Sequence, residues 1–235
     1  MKKRFEFNKP LLIIAIILLI VSIILLFLNN GISKDYQDLK INKSKNYVYT
    51  KYKNTSNEAY VPKINVKINN IDSINAEIEQ LTKSYLTSTN SLKTVTYRYN
   101  LWQDYLSVVL MFRDENSSNE LTYSFKTYVI SLKEERVLSD SEVMEVFNIS
   151  SDTVGKKLAS LMYGKYLDEI DKGYFTKSEC DFKCYITNRE ITSYLDGNNY
   201  YIENAKLVVY KSFNAYGKFH EENYFTRDDF KFYIN

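Results

Sequence analysis

From Leu11 to Leu28 every residue except Ser22 is apolar, and no other window of the 235-residue chain is comparably long and free of charge. At about 1.5 Å per residue such a run makes roughly 27 Å of helix, enough to cross the hydrocarbon core of a bilayer once. Lys2, Lys3, Arg4 and Lys9 precede it against a single acid, Glu6, and a positively charged flank stays on the cytoplasmic side. The expected topology is a cytoplasmic tail over 1–10, a transmembrane signal anchor in membrane lipid over 11–28, and an extracellular C-terminal part. A cleaved signal peptide has an apolar core of about 7–15 residues, shorter than this one. The one candidate cleavage site, Gly31-Ile32-Ser33, matches the small-x-small rule imperfectly. Retention as an anchor is therefore the expectation, with cleavage after Ser33 as the alternative. No Cys follows the run, which argues against lipoprotein attachment. A ten-residue tail is too short to bury a core of its own.

Charge then limits the partners. Taking the tail's four basic residues and one acid from the chain's 31 and 29 leaves 27 basic against 28 acidic residues. A nearly neutral outer part lacks the concentrated basic surface that phosphate backbones require, so nucleic acid is excluded as a partner. Two Pro and six Gly are too few for a flexible stalk. The polar stretch 29–45 reads as a short tether, followed by a first small module over 46–90 and a second over 91–235. The two cysteines, Cys180 and Cys184, read as a local disulfide, as two free thiols, or as part of a metal site. With His220 as the only His, ligands for a metal are scarce, and the expectation is no metal and no cofactor. Tyr is abundant, at 22 residues. Such rings stack on sugars when exposed and favour strands in any case.

Periodicity gives the elements. NYVYTKYK and YVPKINVKI read as strands, the second with Pro62 near its start. Ile71, Ile74, Ile78, Leu81 and Tyr85 recur at helical spacing behind a cap at Asp72 or Ser73. Strict alternation places Val95, Tyr97, Tyr99 and Leu101 on one face of a strand and Thr94, Thr96, Arg98 and Asn100 on the other. With the runs 106–113 and 121–132 it forms an antiparallel meander. Ser139 and Glu142 make a capping box before a short helix. A longer helix runs from about Ser151, with Val154, Leu158, Leu161 and Ile170 inward and Gly173 as its stop. NNYYIENAKLVVYKSF reads as a hairpin and FKFYIN as a last strand. The expected class is α+β, an N-terminal transmembrane helix followed by antiparallel sheet packed with helices.

No GxSxG, HExxH or glycine-rich phosphate loop is present. His220 in KFHEEN reads as part of a solvated loop, and Asp228 and Asp229 in TRDDF as surface charges. The residues argue against an enzyme.

Three patterns carry a resemblance. Tyr60-Val61-Pro62-Lys63-Ile64 with Ile74-Asn75 resembles the first of two small modules in the outer part of lysozyme-sensing anti-sigma factors. Those modules also precede the catalytic domain of some Gram-positive peptidoglycan deacetylases. Leu138-Ser139-Asp140 after YVISLKEERV resembles the second module, and Tyr200-Tyr201-Ile202 leading into Lys206-Leu207-Val208-Val209-Tyr210 resembles its closing hairpin. The chain departs from the pattern at Lys211, where the family continues with an aromatic residue, and over 212–217, which lacks the family's proline. Its tail is too short to be a sigma-binding part, so anti-sigma activity is not implied. The resemblance implies a cell-envelope binding or sensing domain for a lysozyme-like protein or for peptidoglycan. The closing hairpin and the loop after it, with Tyr201, Lys211, Tyr216 and His220, would then be the contact surface. The alternative is a non-catalytic structural or assembly partner of another envelope protein.

Overall fold

Three long strands carry the architecture: β3 (Leu92–Trp102), β4 (Tyr105–Glu115) and β5 (Leu121–Ser131). A computed structural model describes residues 47–54, 59–87, 92–115, 121–191, 193–215 and 227–235. The expected tail, anchor and tether lie outside these residues. Among the described residues no helix is long and apolar enough to cross a membrane.

The strands β3, β4 and β5 pair antiparallel in unbroken register, Leu92 opposite Glu115 and Tyr105 opposite Ser131. β1 (Val48–Asn54) and β2 (Ala59–Ile64) form a hairpin at one edge, and β6 (Arg136–Val137) closes the other. β2 meets β3 in parallel at one position, Ala59 with Val95. The connection between them is α1 (Ile71–Thr87), so the segment makes a strand–helix–strand crossover. Pro62 lies beyond that single contact, where its missing N–H leaves no β3 partner unserved. Asn75 of α1 fixes the end of β2: Oδ1 accepts from the Ile64 N–H at 2.8 Å, and Nδ2 donates to the Ile64 carbonyl at 3.0 Å. Asn46–Asn235 forms one compact unit, and the paired strands β2 and β3 stand on either side of the boundary expected near residue 90.

Both faces of this sheet are buried. Leu106, Val108, Leu110 and Phe112 of β4 form one core with Val61, Val95 and Ile78 of α1. The alternate residues Val109 and Met111 face a second core. A strand covered on two sides reads as a continuous apolar run, which LSVVLMF is. On α1 the covered line is Ile71, Ile74, Ile78, Thr82 and Tyr85, whereas Leu81, expected on that line, is 37% exposed. Thr82 takes its place because its hydroxyl is satisfied by the Ile78 carbonyl at 2.8 Å. The helix begins at Ile71, whose following turn closes on the Asn70 carbonyl, so Asp72 lies inside the first turn rather than at the cap.

The second core is closed by helices and a three-stranded sheet. α2 (Asp140–Val146) starts at Ser139, which with Glu142 forms the expected capping box. Hydrogen bonds from Arg136 and from Ser139 hold the Glu142 carboxyl down at about 2. Its folded value is thus below the unfolded one, so its contribution is complete above about pH 4.5 and disappears as pH falls toward 2. Ser139→Ala is expected to cost about 1 kcal/mol and to flatten that acid limb, as checked by urea melts between pH 2 and 6.

α3 (Ser151–Asp171) buries Val154, Leu158, Met162, Tyr166 and Glu169. Gly173, at φ +75°, ends it. Its N–H reaches the Ile170 carbonyl at 2.8 Å and the Tyr174 N–H reaches the Glu169 carbonyl at 3.0 Å, the paired bonds of a Schellman motif. After α4 (Phe182–Asn188) come β7 (Asn198–Glu203) and β8 (Lys206–Lys211). Their two-residue turn, Asn204–Ala205, has both φ positive, as a type I′ hairpin requires. β9 (Asn214–Ala215) adds to β5, a 3-10 turn spans Arg227–Phe230, and β10 (Lys231–Tyr233) pairs with β8.

β7 lies across the polar face of β3 and β4. Ser107 accepts the Ile202 N–H at 3.1 Å, and Asn100 donates to Asn204 at 3.2 Å. The β3 face bearing Thr94, Arg98 and Asn100 is consequently buried, Arg98 to 2%.

Candidate functional site at the closing hairpin

Tyr201 and Lys211, read from sequence as contact residues, both lie inside the fold. Tyr201 is 1% exposed, and its ring meets Tyr210 edge-on at 5.9 Å. Lys211 is 5% exposed. Its ammonium donates to the Ser193 carbonyl at 2.6 Å and to the Asp196 carbonyl. Burial pushes its pKa down, opposed by Asp196. It clamps the loop that leads into β7. A long cationic side chain at this position reaches two carbonyls that an aromatic ring would leave without that donor. Tyr216 and His220 lie outside the described residues.

Cys180 and Cys184 are joined as a disulfide with Cα atoms 5.3 Å apart. Asp181 between them caps α4 by accepting the Cys184 N–H at 2.8 Å. The bridge borders an aromatic group: Tyr166 lies 5.8 Å from Phe175, 5.5 Å from Phe182 and 5.3 Å from Tyr185. Its hydroxyl donates to the Cys180 carbonyl at 3.1 Å. Among the described residues no cluster of His, Cys, Asp and Glu has the spacing to hold a metal ion.

The polar groups concentrate in two places. Inside the second core, Glu169 accepts from Arg189 at 2.6 Å and from the Tyr185 hydroxyl at 2.9 Å. The Arg189 guanidinium also lies 4.8 Å from the centre of the Tyr185 ring. Burial pushes the Tyr185 hydroxyl well above the usual phenol value. Sequence reasoning passed over this group, although one signal was present: Glu169 continues the inward line of Val154, Leu158, Met162 and Tyr166, where an acid requires a buried partner.

Beside the hairpin turn, Glu203, mostly buried, accepts from Lys231 at 2.5 Å and from the Tyr233 hydroxyl at 2.6 Å. Burial would raise this carboxyl, but those two hydrogen bonds outweigh it and hold it below its ordinary value. The Tyr233 ring, 42% exposed, is held with Lys206 at 5.3 Å and Lys231 at 4.7 Å. Arg98 reaches Asp228 at 2.9 Å nearby in sequence on the 3-10 turn. Asp228 and Asp229, read as surface charges, are also ion-paired, Asp229 with Lys165 at 2.8 Å, and the Asp228 side chain is exposed. The hairpin therefore presents its tip outward and its body inward. The exposed Tyr233 ring beside the Lys206 ammonium suits recognition of a polar surface such as a peptide or a sugar.

No family model matches the chain, and no curated protein matches its sequence.

Proposed function

We propose that the chain is a non-catalytic, membrane-tethered binding or sensing domain that recognises a protein, lysozyme-like by resemblance, or a cell-wall component outside the cell membrane. The observation that carries this reading is the apolar run Leu11–Leu28 behind a basic flank, followed by a separate folded unit. The disulfide supports the placement, because such bonds persist in oxidising, extracytoplasmic surroundings. The hairpin tip with Tyr233, Lys206 and Asn204 is the contact surface that exposure favours over the buried Tyr201 and Lys211. The test uses residues 33–235 immobilised and challenged with lysozyme and with purified peptidoglycan. Retention of at least one, reduced by Tyr233→Ala, is expected; retention of neither removes the reading. Protease added to whole cells should also digest the C-terminal unit of the full chain.

A further inference from the structure

We propose that the outer face of α3 is a self-association surface, on which a second copy of this chain packs its own α3 antiparallel, with Gly164 at the crossing point. At 100° per residue the buried line of α3 runs through Val154, Leu158, Met162 and Tyr166. The opposite line is Lys157, Ser160, Gly164, Leu167 and Asp171, with Ser160, Gly164 and Asp171 exposed and Leu167 41% exposed. Tyr163, 42% exposed, flanks it.

Gly164 is the first anomaly. A mid-helix glycine costs about 1 kcal/mol relative to alanine. A Cβ built there would meet nothing within 4 Å, and its φ is not positive. Gly155 on the same helix differs, since a Cβ there would come within 3.2 Å of Leu195. Neither packing within the chain nor backbone geometry calls for glycine at 164, whereas close approach of another helix does.

The charges give the second, independent argument. Lys156 pairs with Asp152 at 2.7 Å and Lys172 with Asp168 at 2.6 Å, each along the helix. Lys157 and Asp171 take part in no ion pair among the described residues, and each is seven residues, about 10 Å, from Gly164. A two-fold axis through Gly164 brings Lys157 of one copy opposite Asp171 of the other, twice. It also brings Leu167 within one residue's rise of Ser160 of the second copy, a large side chain beside a small one. A parallel arrangement would oppose like charges at both ends. Closed two-fold pairing of one patch with itself is the commonest form of self-association. One helix crossing buries less than a standard interface, so the pair is weak in dilute solution.

The experiment uses the full-length chain with Gly164→Cys. Both native cysteines are already bonded, so the introduced thiol is the sole free one. Mild oxidation is expected to give a disulfide-linked dimer at least about tenfold faster than Lys83→Cys on α1. Adding Asp171→Lys should slow the crosslink about fivefold, since it turns two attractive pairs repulsive, and Lys157→Asp in the same chain should restore it. Circular dichroism confirms that each variant is folded. A Gly164→Cys rate no faster than the Lys83→Cys rate overturns the proposal, as does a crosslink indifferent to both charge changes. Either result would leave the face to a different occupant.

Discussion

Replacing Arg189 with methionine is expected to destabilise the folded unit by about 3–5 kcal/mol, among the largest effects of any single polar substitution. The side chains of Arg189 and Glu169 are each 4% exposed and 2.6 Å apart. Removing the guanidinium strands a carboxylate in the second core, with the Tyr185 hydroxyl still donating to it. A fold of this length loses about 2–4 °C of Tm per kcal/mol, so the midpoint should fall by roughly 10 °C. The pair itself is worth much less than this figure, because burying two charges cancels most of their attraction. Glu169→Leu combined with Arg189→Met should therefore recover most of the loss. Thermal melts of residues 33–235 decide the matter: a single variant within about 1 kcal/mol of the parent, or a double variant worse than the single, would refute the account.

The same ion pair shows where sequence reasoning stops. Local signals translated well. Alternation in Thr94–Leu101 set the faces of β3, Ser139 and Glu142 closed the predicted capping box, and Gly173 took the left-handed position that ends α3. These depend on residues within one turn or one strand, so the chain states them directly. The failures involve a second element that periodicity cannot see. Alternation divided β3 into two faces but did not say what covers the polar one: β7 does, and Arg98 and Asn100 are buried, Asn100 against a turn about a hundred residues away. Leu81 lost its place to Thr82, whose hydroxyl finds a carbonyl in its own helix and so can be buried. The closing hairpin was located correctly, but its exposure was not. Alternation of apolar residues cannot distinguish a strand with one wet face from β8, whose residues 207–211 are all buried. Tyr201 and Lys211 were accordingly read as surface residues, although the first packs into the core and the second clamps a loop.

The second large effect is expected at Phe230, in the short turn that brings the C-terminal strand onto the core. Its ring is fully buried and lies 4.3 Å from Phe213, 4.7 Å from Tyr123 and 6.0 Å from Phe125, centre to centre. Phe230→Ala should cost about 3–5 kcal/mol, because the lost transfer energy is joined by a cavity that the surrounding rings, Tyr123 and Phe125 of them fixed on β5, cannot collapse to fill. The two acids before it work differently. Asp228 and Asp229 hold Arg98 and Lys165; Arg98 itself is buried, but Asp228→Asn keeps an amide oxygen that can still accept from it, so this change should cost clearly less than Phe230→Ala. Phe230→Leu keeps most of the volume and should stay within about 1.5–2 kcal/mol of the parent. Because β10 follows Phe230 directly and pairs with β8 over only three residues, losing the ring should also speed amide exchange at Phe232 and Tyr233, whereas Asp228→Asn leaves the strand protected. If urea melts placed Phe230→Ala and Asp228→Asn at the same cost, the turn would be held by its charges and the aromatic plug would not be what docks the C-terminal strand.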